Sequence, residues 1–194
     1  MCHNQGNRRT RARLLHSVLK GISMPPRLLL LTTPPNAVFN ILQASPEIVL
    51  LCHDLRKYSR MEIMRLLDKE SSADADALLT YRCPWILPES CLSSFPLGAY
   101  NLHPSLLPRY AGANPWPEIL SSQEDFSGVT LHRLTVPADS GEIILQEKFE
   151  LPPSRDLEKA RQAADRTAAG LAVQLVRMLA GLSACRTRTG PAGR

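Results

Sequence analysis

Three short apolar runs, RLLLLTT at 27–33, EIVLLC at 47–52 and DALLTYR at 76–82, most narrow what this chain can fold into. Each has the length of a buried strand, and none shows the alternation of a strand with one wet face. Between the first and second lies Asn36–Ala44, a helix that Pro34 and Pro35 can open, since the first turn tolerates proline, and that Pro46 closes. Between the second and third lies Met61–Glu70, where Met61, Ile63, Met64, Leu66 and Leu67 form a short amphipathic stripe. This β-α-β-α-β order predicts an α/β fold: a single Rossmann-like domain with a mostly parallel twisted sheet and helices on both faces.

The second half changes character. Gly98–His103 (GAYNLH) reads as a strand entering the proline-rich loop PSLLPRYAGANPWP. Gly128–Leu134 (GVTLHRL) and Glu142–Leu151 (EIILQEKFEL) read as two further strands able to pair across the loop 135–141. Asp156–Leu182 predicts one long C-terminal helix, with Leu157, Ala160, Ala164, Leu171, Leu175, Met178 and Leu182 at roughly helical spacing. A chain of 194 residues suits one domain with a sizeable core. The expected layout is a poorly ordered basic extension over 1–23, a folded domain over 24–183 and a basic tail over 184–194.

The net charge of +5 sits at the two ends: Arg8, Arg9, Arg11, Arg13, Lys20 and Arg27 at one, Arg186, Arg188 and Arg194 at the other. That leaves 14 basic against 18 acidic residues between them. A basic tail can attract a polyanion, but the body carries no basic stripe, so no nucleic-acid partner is expected. No run approaches the ~18 to 20 apolar residues of a membrane span. Five cysteines without a CxxC pair support neither a disulfide framework nor a zinc site, so reduced thiols in a cytoplasmic protein and no metal are expected. Cys52 and Cys83, at strand ends, read as packed residues rather than nucleophiles.

Ligands of such sheets bind at the carboxyl ends of the strands. The loops there offer an amide, Asn101, an imidazole, His103, and a carboxylate, Asp139. Asn101 and His103 are two residues apart, so on a strand both side chains face the same way and Leu102 faces the other. Pro104 and Pro108 stiffen the loop that follows. Spacing alone leaves two readings open: a catalytic constellation, or a satisfied polar pair beside an Asp139-Ser140-Gly141 turn.

The segment NLHPSLLPRYAGANP (101–115) resembles the active-site segment of the tetrahydrofolate-dependent formyltransferase family, as a short single-domain member. GVTLHRLTVPADSGEIILQ (128–146) resembles that family's strand, loop and strand around the catalytic aspartate, and TYRCPWILPES (80–90) resembles, more weakly, a loop lining the folate pocket. The resemblance covers about 28 to 182. It implies transfer of a formyl group from the cosubstrate 10-formyltetrahydrofolate to an amine, without a metal. Asn101 would donate to the oxygen of a tetrahedral intermediate, His103 would act as a second donor and general acid/base, and Asp139 would favour the protonated histidine and receive the amine's proton. Trp85, Ile86, Leu87, Leu134, Val136 and Ala138 would surround the pterin. His132 also fits the family's pattern and reads as structural.

Departures from the family bear on the acceptor. Where glycinamide ribonucleotide formyltransferases have a glycine-rich phosphate loop, this chain has Thr32-Thr33-Pro34-Pro35-Asn36, whose prolines lack N–H groups. The C-terminal barrel of methionyl-tRNA formyltransferases and the regulatory domain of formyltetrahydrofolate deformylase find no counterpart in these 194 residues. The shortened first half resembles the formylation domains of nonribosomal peptide synthetases. That implies a small or carrier-protein-tethered aminoacyl amine in specialised metabolism: antibiotic, siderophore, peptide or amino-sugar. Ala111-Gly112-Ala113-Asn114-Pro115 resembles the deformylase's loop, which keeps hydrolysis of the formyl donor open. An inactive folate-binding domain is the third reading.

Overall fold

The structure, a computed structural model, describes residues 24–70 and 75–188, with side chains over 24–67 and 75–183. The expected extension over 1–23, and residues 189–194 of the expected tail, lie outside the described residues. The described elements are β1 (Arg27–Thr32), α1 (Ala37–Gln43), β2 (Val49–Asp54), α2 (Arg60–Glu70), β3 (Ala77–Tyr81) and α3 (Glu89–Leu92). They continue with β4 (Gly98–His103), α4 (Trp116–Ser121), β5 (Phe126–Arg133), β6 (Ile143–Glu150) and α5 (Leu157–Arg188). The strands form one sheet in the order β2-β1-β3-β4-β5-β6. β1 pairs in parallel with β2 and β3, and β3 with β4, while β4–β5 and β5–β6 are antiparallel. The expected α/β architecture is therefore present.

The leucine run explains the layering. Leu28 and Leu30 enter one core with Val38 and Leu42 of α1 and the inner face of α5. Leu29 and Leu31 enter a second core with Ile63 and Leu67 of α2 and with Cys91 and Leu92 of α3. All four leucines are fully buried, each worth about 1.5–3 kcal/mol relative to an exposed side chain. A strand covered on both faces needs no polar side, hence the unbroken run.

The long helix shows where helical spacing misled. Its buried stripe is Ala160, Ala164, Ala168, Leu171, Ala172, Leu175, Val176 and Leu179, whereas Leu157, Met178 and Leu182 are exposed. After Leu175 the 3.6-residue period returns to Leu179, one position past Met178. Four alanines in this stripe leave room against Tyr81 and Tyr100 of the sheet. The helix also continues past the expected end at Leu182 to Arg188, since no glycine or proline interrupts 183–188. In α2, Met61 likewise points to solvent while Ile63 and Leu67 are buried. The helices α3 and α4, four and six residues long, are too short to show a period and were not anticipated.

Asn36 fixes the first crossover. Its Oδ1 accepts from the N–H of Phe39 at 2.9 Å, and its Nδ2 donates to Thr32 Oγ1 at 3.0 Å and to the Thr33 carbonyl at 3.1 Å. Replacing Asn36 with Ala removes the helix cap and both tethers, and urea unfolding should show a loss of about 1–2 kcal/mol. Ser127 of β5 provides the opposite case, because its buried hydroxyl has no partner among the described residues. Ser127→Ala should therefore leave stability unchanged or raise it by up to ~1 kcal/mol in the same experiment.

Candidate active site

Strand register builds the site. The two-residue period of β4 sends Tyr100 and Leu102 into the first core and Ala99 into the second. Asn101 and His103 share the face of Ala99. Pairing sets Asn101 beside Thr80 of β3 and beside His132 of β5. At His132 the β5–β6 ladder shifts register, so that Leu131 faces Leu145 while His132 faces Ile143. Such irregularities are frequent next to functional sites, where they re-aim a side chain.

His103 is almost fully buried, with Nε2 3.0 Å from the carbonyl oxygen of Tyr110. A carbonyl only accepts, so Nε2 carries a proton and donates. Tyr110 adopts a positive φ of 56°, and its loop is held to the antiparallel strands by Thr130. That hydroxyl donates to the Ser105 carbonyl at 2.6 Å and accepts from the N–H of Leu107 at 3.0 Å. Gln146 donates both to the Leu107 carbonyl and to Thr130 Oγ1 at 2.8 Å. The segment after β4 is thus anchored from two strands, and the Tyr110 carbonyl it carries holds the imidazole of His103 in orientation.

Asp139 closes the cluster from the β5–β6 connection. Its φ is +57°, a left-handed conformation that aspartate tolerates better than most residues. Oδ2 accepts from the N–H of Gly112 at 2.8 Å. Oδ1 lies 3.5 Å from His103 Nδ1 and 3.7 Å from His132 Nε2, within ion-pair range but longer than a good hydrogen bond. A Cβ on Gly141 would sit 1.9 Å from the Arg133 carbonyl oxygen, so the return of this loop requires glycine there. The sequence-predicted trio is brought together at one point, although Asp139 stands 36 residues beyond His103.

Two residues that sequence reasoning did not assign to the site join it. Thr80 Oγ1 donates to Asn101 Oδ1 at 2.8 Å. Asn101 Nδ2 is 3.1 Å from His132 Nε2, and His132 Nδ1 is 2.8 Å from the Arg133 carbonyl oxygen. His132 was expected to be structural, and only the register reveals its contact with Asn101. Burial pushes its imidazole below the ordinary histidine range, and nearby His103 acts the same way; donation to the Arg133 carbonyl and the Asp139 charge oppose them. The described cysteines lie outside the cluster. Burial, with the Asp54 charge second, pushes the Cys52 thiol up to about 11, and burial also raises Cys83, which disfavours the thiolate that a nucleophile needs.

A cavity of about 710 Å³ is lined in part by Leu92, Phe95, Ala99, Leu134, Val136 and Leu182 of α5. Asn101, His103 and Asp139 stand outside its lining; Ala99 is two residues before Asn101 on β4, and Val136 is three before Asp139. Of the residues expected around a pterin, Leu134 and Val136 are on its wall, while Trp85, Ile86, Leu87 and Ala138 are not. Leu87 is buried and Trp85 partly buried in the second core, and Ile86 is exposed. A run of three apolar residues without a period does not disclose which of them turns inward. Among the described residues, no helix is long and apolar enough to cross a membrane and no His, Cys, Asp and Glu cluster is arranged to hold a metal ion.

Residues 28–176 match the family described as formyl transferase. Methionyl-tRNA formyltransferase of Thermotoga maritima is 35% identical over 99 residues, 51% of this chain and 30% of that protein. The same enzyme of Syntrophus aciditrophicus is 39% identical over 94 residues, 48% of this chain and 30% of its own. The matched stretch thus spans less than a third of those relatives. Among solved structures, glycinamide ribonucleotide transformylase 1 of Geobacillus kaustophilus superimposes with a TM-score of 0.61 at 20% identity, over 81% of this chain and all of that one. A likely sugar N-formyltransferase of Mycobacterium tuberculosis gives a TM-score of 0.66 at 17% identity, over 81% and 69%. The formyltransferase PseJ of Anoxybacillus kamchatkensis, solved with a UDP-linked formamido sugar and tetrahydrofolate, gives 0.58 at 23% identity, over 79% and 78%. At these identities the superpositions establish a shared fold.

The lowered proton affinity of His132 has a defined sign. The unfolded chain takes up that proton near pH ~6.5 and the folded chain only at lower pH, so stability is full above the unfolded value and is lost as pH falls from it. Thermal unfolding followed between pH 7 and 5 should show a falling Tm, with a shallower fall in His132→Gln, which has no such proton to bind.

Proposed function

The chain belongs to the formyl transferase family, and from that premise we propose that it is an N-formyltransferase using 10-formyltetrahydrofolate, with Asn101, His103 and Asp139 as its reacting groups. The observation that carries this reading is the convergence of the three side chains: an amide and an imidazole from one strand, and a carboxylate 3.5 Å from the imidazole. The formyl donor supplies an electrophilic carbonyl carbon. As the amine attacks it, negative charge develops on the formyl oxygen, and preorganised donors lower the cost of that charge. Asn101 Nδ2 presents one such donor. His103 is held by Tyr110 through Nε2, so Nδ1, which faces Asp139, is the ring nitrogen left to take up and release a proton in general acid/base transfer. Asp139, fixed by the Gly112 N–H, keeps its other oxygen directed at both imidazoles and provides the sink for the proton the amine gives up.

The apolar cavity suits the folate end of the donor. Its volume falls in the range of small-ligand sites, and Leu92, Phe95, Ala99, Leu134 and Val136 offer apolar walls for a pterin ring, with Glu89, Ser93, Arg133 and Thr135 as polar groups in the same lining. We assign to the acceptor a primary amine on a small molecule or a carrier-tethered aminoacyl group, in specialised metabolism. Two observations support it. The turn after β1 spends its only side-chain amide, Asn36, on capping α1 and tethering Thr32 and Thr33. Pro34 and Pro35 next to it bring no N–H for phosphate. The layout of a catalytic domain over 24–183, in the cytoplasm, belongs to the same proposal.

Purified protein incubated with 10-formyltetrahydrofolate and a panel of amines should release tetrahydrofolate only when an acceptor is present. Asp139→Asn should lower kcat by about 10²–10⁴ and Asn101→Ala by about 10²–10³. Formate release at the same rate without any amine would replace the transferase with a hydrolase. Wild-type turnover no faster than these variants would remove the assignment altogether.

A further inference from the structure

Asn101 is useful as a donor only if its carboxamide presents nitrogen, not oxygen, to the site, and the surroundings decide which. The chain of partners reads in one direction. The Arg133 carbonyl can only accept, so His132 Nδ1, at 2.8 Å, carries the proton. Neutral His132 then has a lone pair on Nε2, which accepts from whatever faces it at 3.1 Å; that atom of Asn101 must be the NH2 group. The opposite end, Oδ1, meets the Thr80 hydroxyl at 2.8 Å, the shorter of two contacts for that proton; the Tyr100 carbonyl is at 3.4 Å. Thr80 and His132 are both buried, at 2% and 0% exposure, so water does not readily substitute for either.

We propose that Thr80 and His132 are positioning residues that hold the carboxamide of Asn101 from its two ends, so that its second N–H is the donor directed at the reacting oxygen. This deepens the formyl-transfer reading and rests on it for the role of Asn101. Turning the amide over sets its oxygen against the lone pair of His132 and replaces the donor with an acceptor. The arrangement also has a built-in alternative state. A proton on His132 Nε2 prefers the amide oxygen and favours the reversed amide, with Asp139 at 3.7 Å welcoming that proton and His103 across the cluster opposing it. Thr80 weights the balance toward the productive orientation.

The test needs Thr80→Val, which keeps the shape and loses the hydroxyl, beside Thr80→Ser, which keeps the hydroxyl. Thr80→Val should lower kcat about 10- to 100-fold with little change in KM for the formyl donor, and its activity should fail at higher pH on the acid side than wild type. Thr80→Ser should recover most of kcat and the wild-type acid limb. Equal loss in both variants would reduce Thr80 to packing and overturn the proposal, as would an unchanged kcat in Thr80→Val. If Asn101→Ala itself turns over like wild type, the fault lies with the formyl-transfer reading instead. One readout requires no substrate: in the full chain labelled with 15N-histidine, the imidazole signal lost in His132→Gln should be that of a neutral ring protonated at Nδ1. A ring protonated at Nε2 would overturn the proposal whatever the kinetics.

Discussion

The row formed by Thr80, Asn101 and His132 exists because β4 is the strand at which the sheet changes direction. It pairs in parallel with β3 and antiparallel with β5, so its two neighbours bring residues from distant parts of the chain to the same level. A slip of one residue in either pairing would turn a whole set of side chains to the other face. Four leucines of β1, buried on both sides, and the bonds from Thr130 to the Ser105 carbonyl and from Gln146 to the Leu107 carbonyl in the loop after β4 oppose such a slip. The chemistry of this site is therefore a property of register before it is a property of any single residue.

Much of the fold could be read from the chain because parallel strands buried on both faces leave a coarse mark. A short unbroken apolar run between helical stretches has few other uses, and the three runs located β1, β2 and β3. The pairing of Asn101 with His103 on one face followed from a spacing of two. What escaped was information that local pattern does not carry. Thr80 sits inside an apolar strand and looks like filler until its neighbour across the sheet is known. His132 stood within a motif, yet its partner depended on the antiparallel register and on the ladder shift beside it. Asp139 was a candidate from its place in a loop at the carboxyl ends of the strands, but spacing left a plain turn equally open, since its approach to His103 depends on a left-handed backbone and a loop return that spacing does not encode.

The same limit appears in the cavity. Its walls come from α3, a helix of four residues, from the strand end at Ala99, and from the loop 134–136. None of these has a period, and neither has Trp85-Ile86-Leu87, of which Leu87 is buried and Trp85 partly buried in the second core while Ile86 is exposed. The long helix gave the converse error: a period clear enough to follow, whose phase drifted by one residue near its end, so that Met178 was taken for Leu179. Pattern fixes which face of an element is apolar more securely than it fixes where that face stops.

The left-handed backbone at Asp139 has a consequence for how this protein can change over generations. Few side chains accept that conformation, and asparagine is one of them. Asparagine would keep the shape of the aspartate and its ability to accept from the Gly112 N–H, while discarding the negative charge. The position is therefore one where a single-base change of codon can erase the carboxylate charge and keep the local backbone. A chain with the same backbone at this turn and no carboxylate charge beside His103 is reachable in one step.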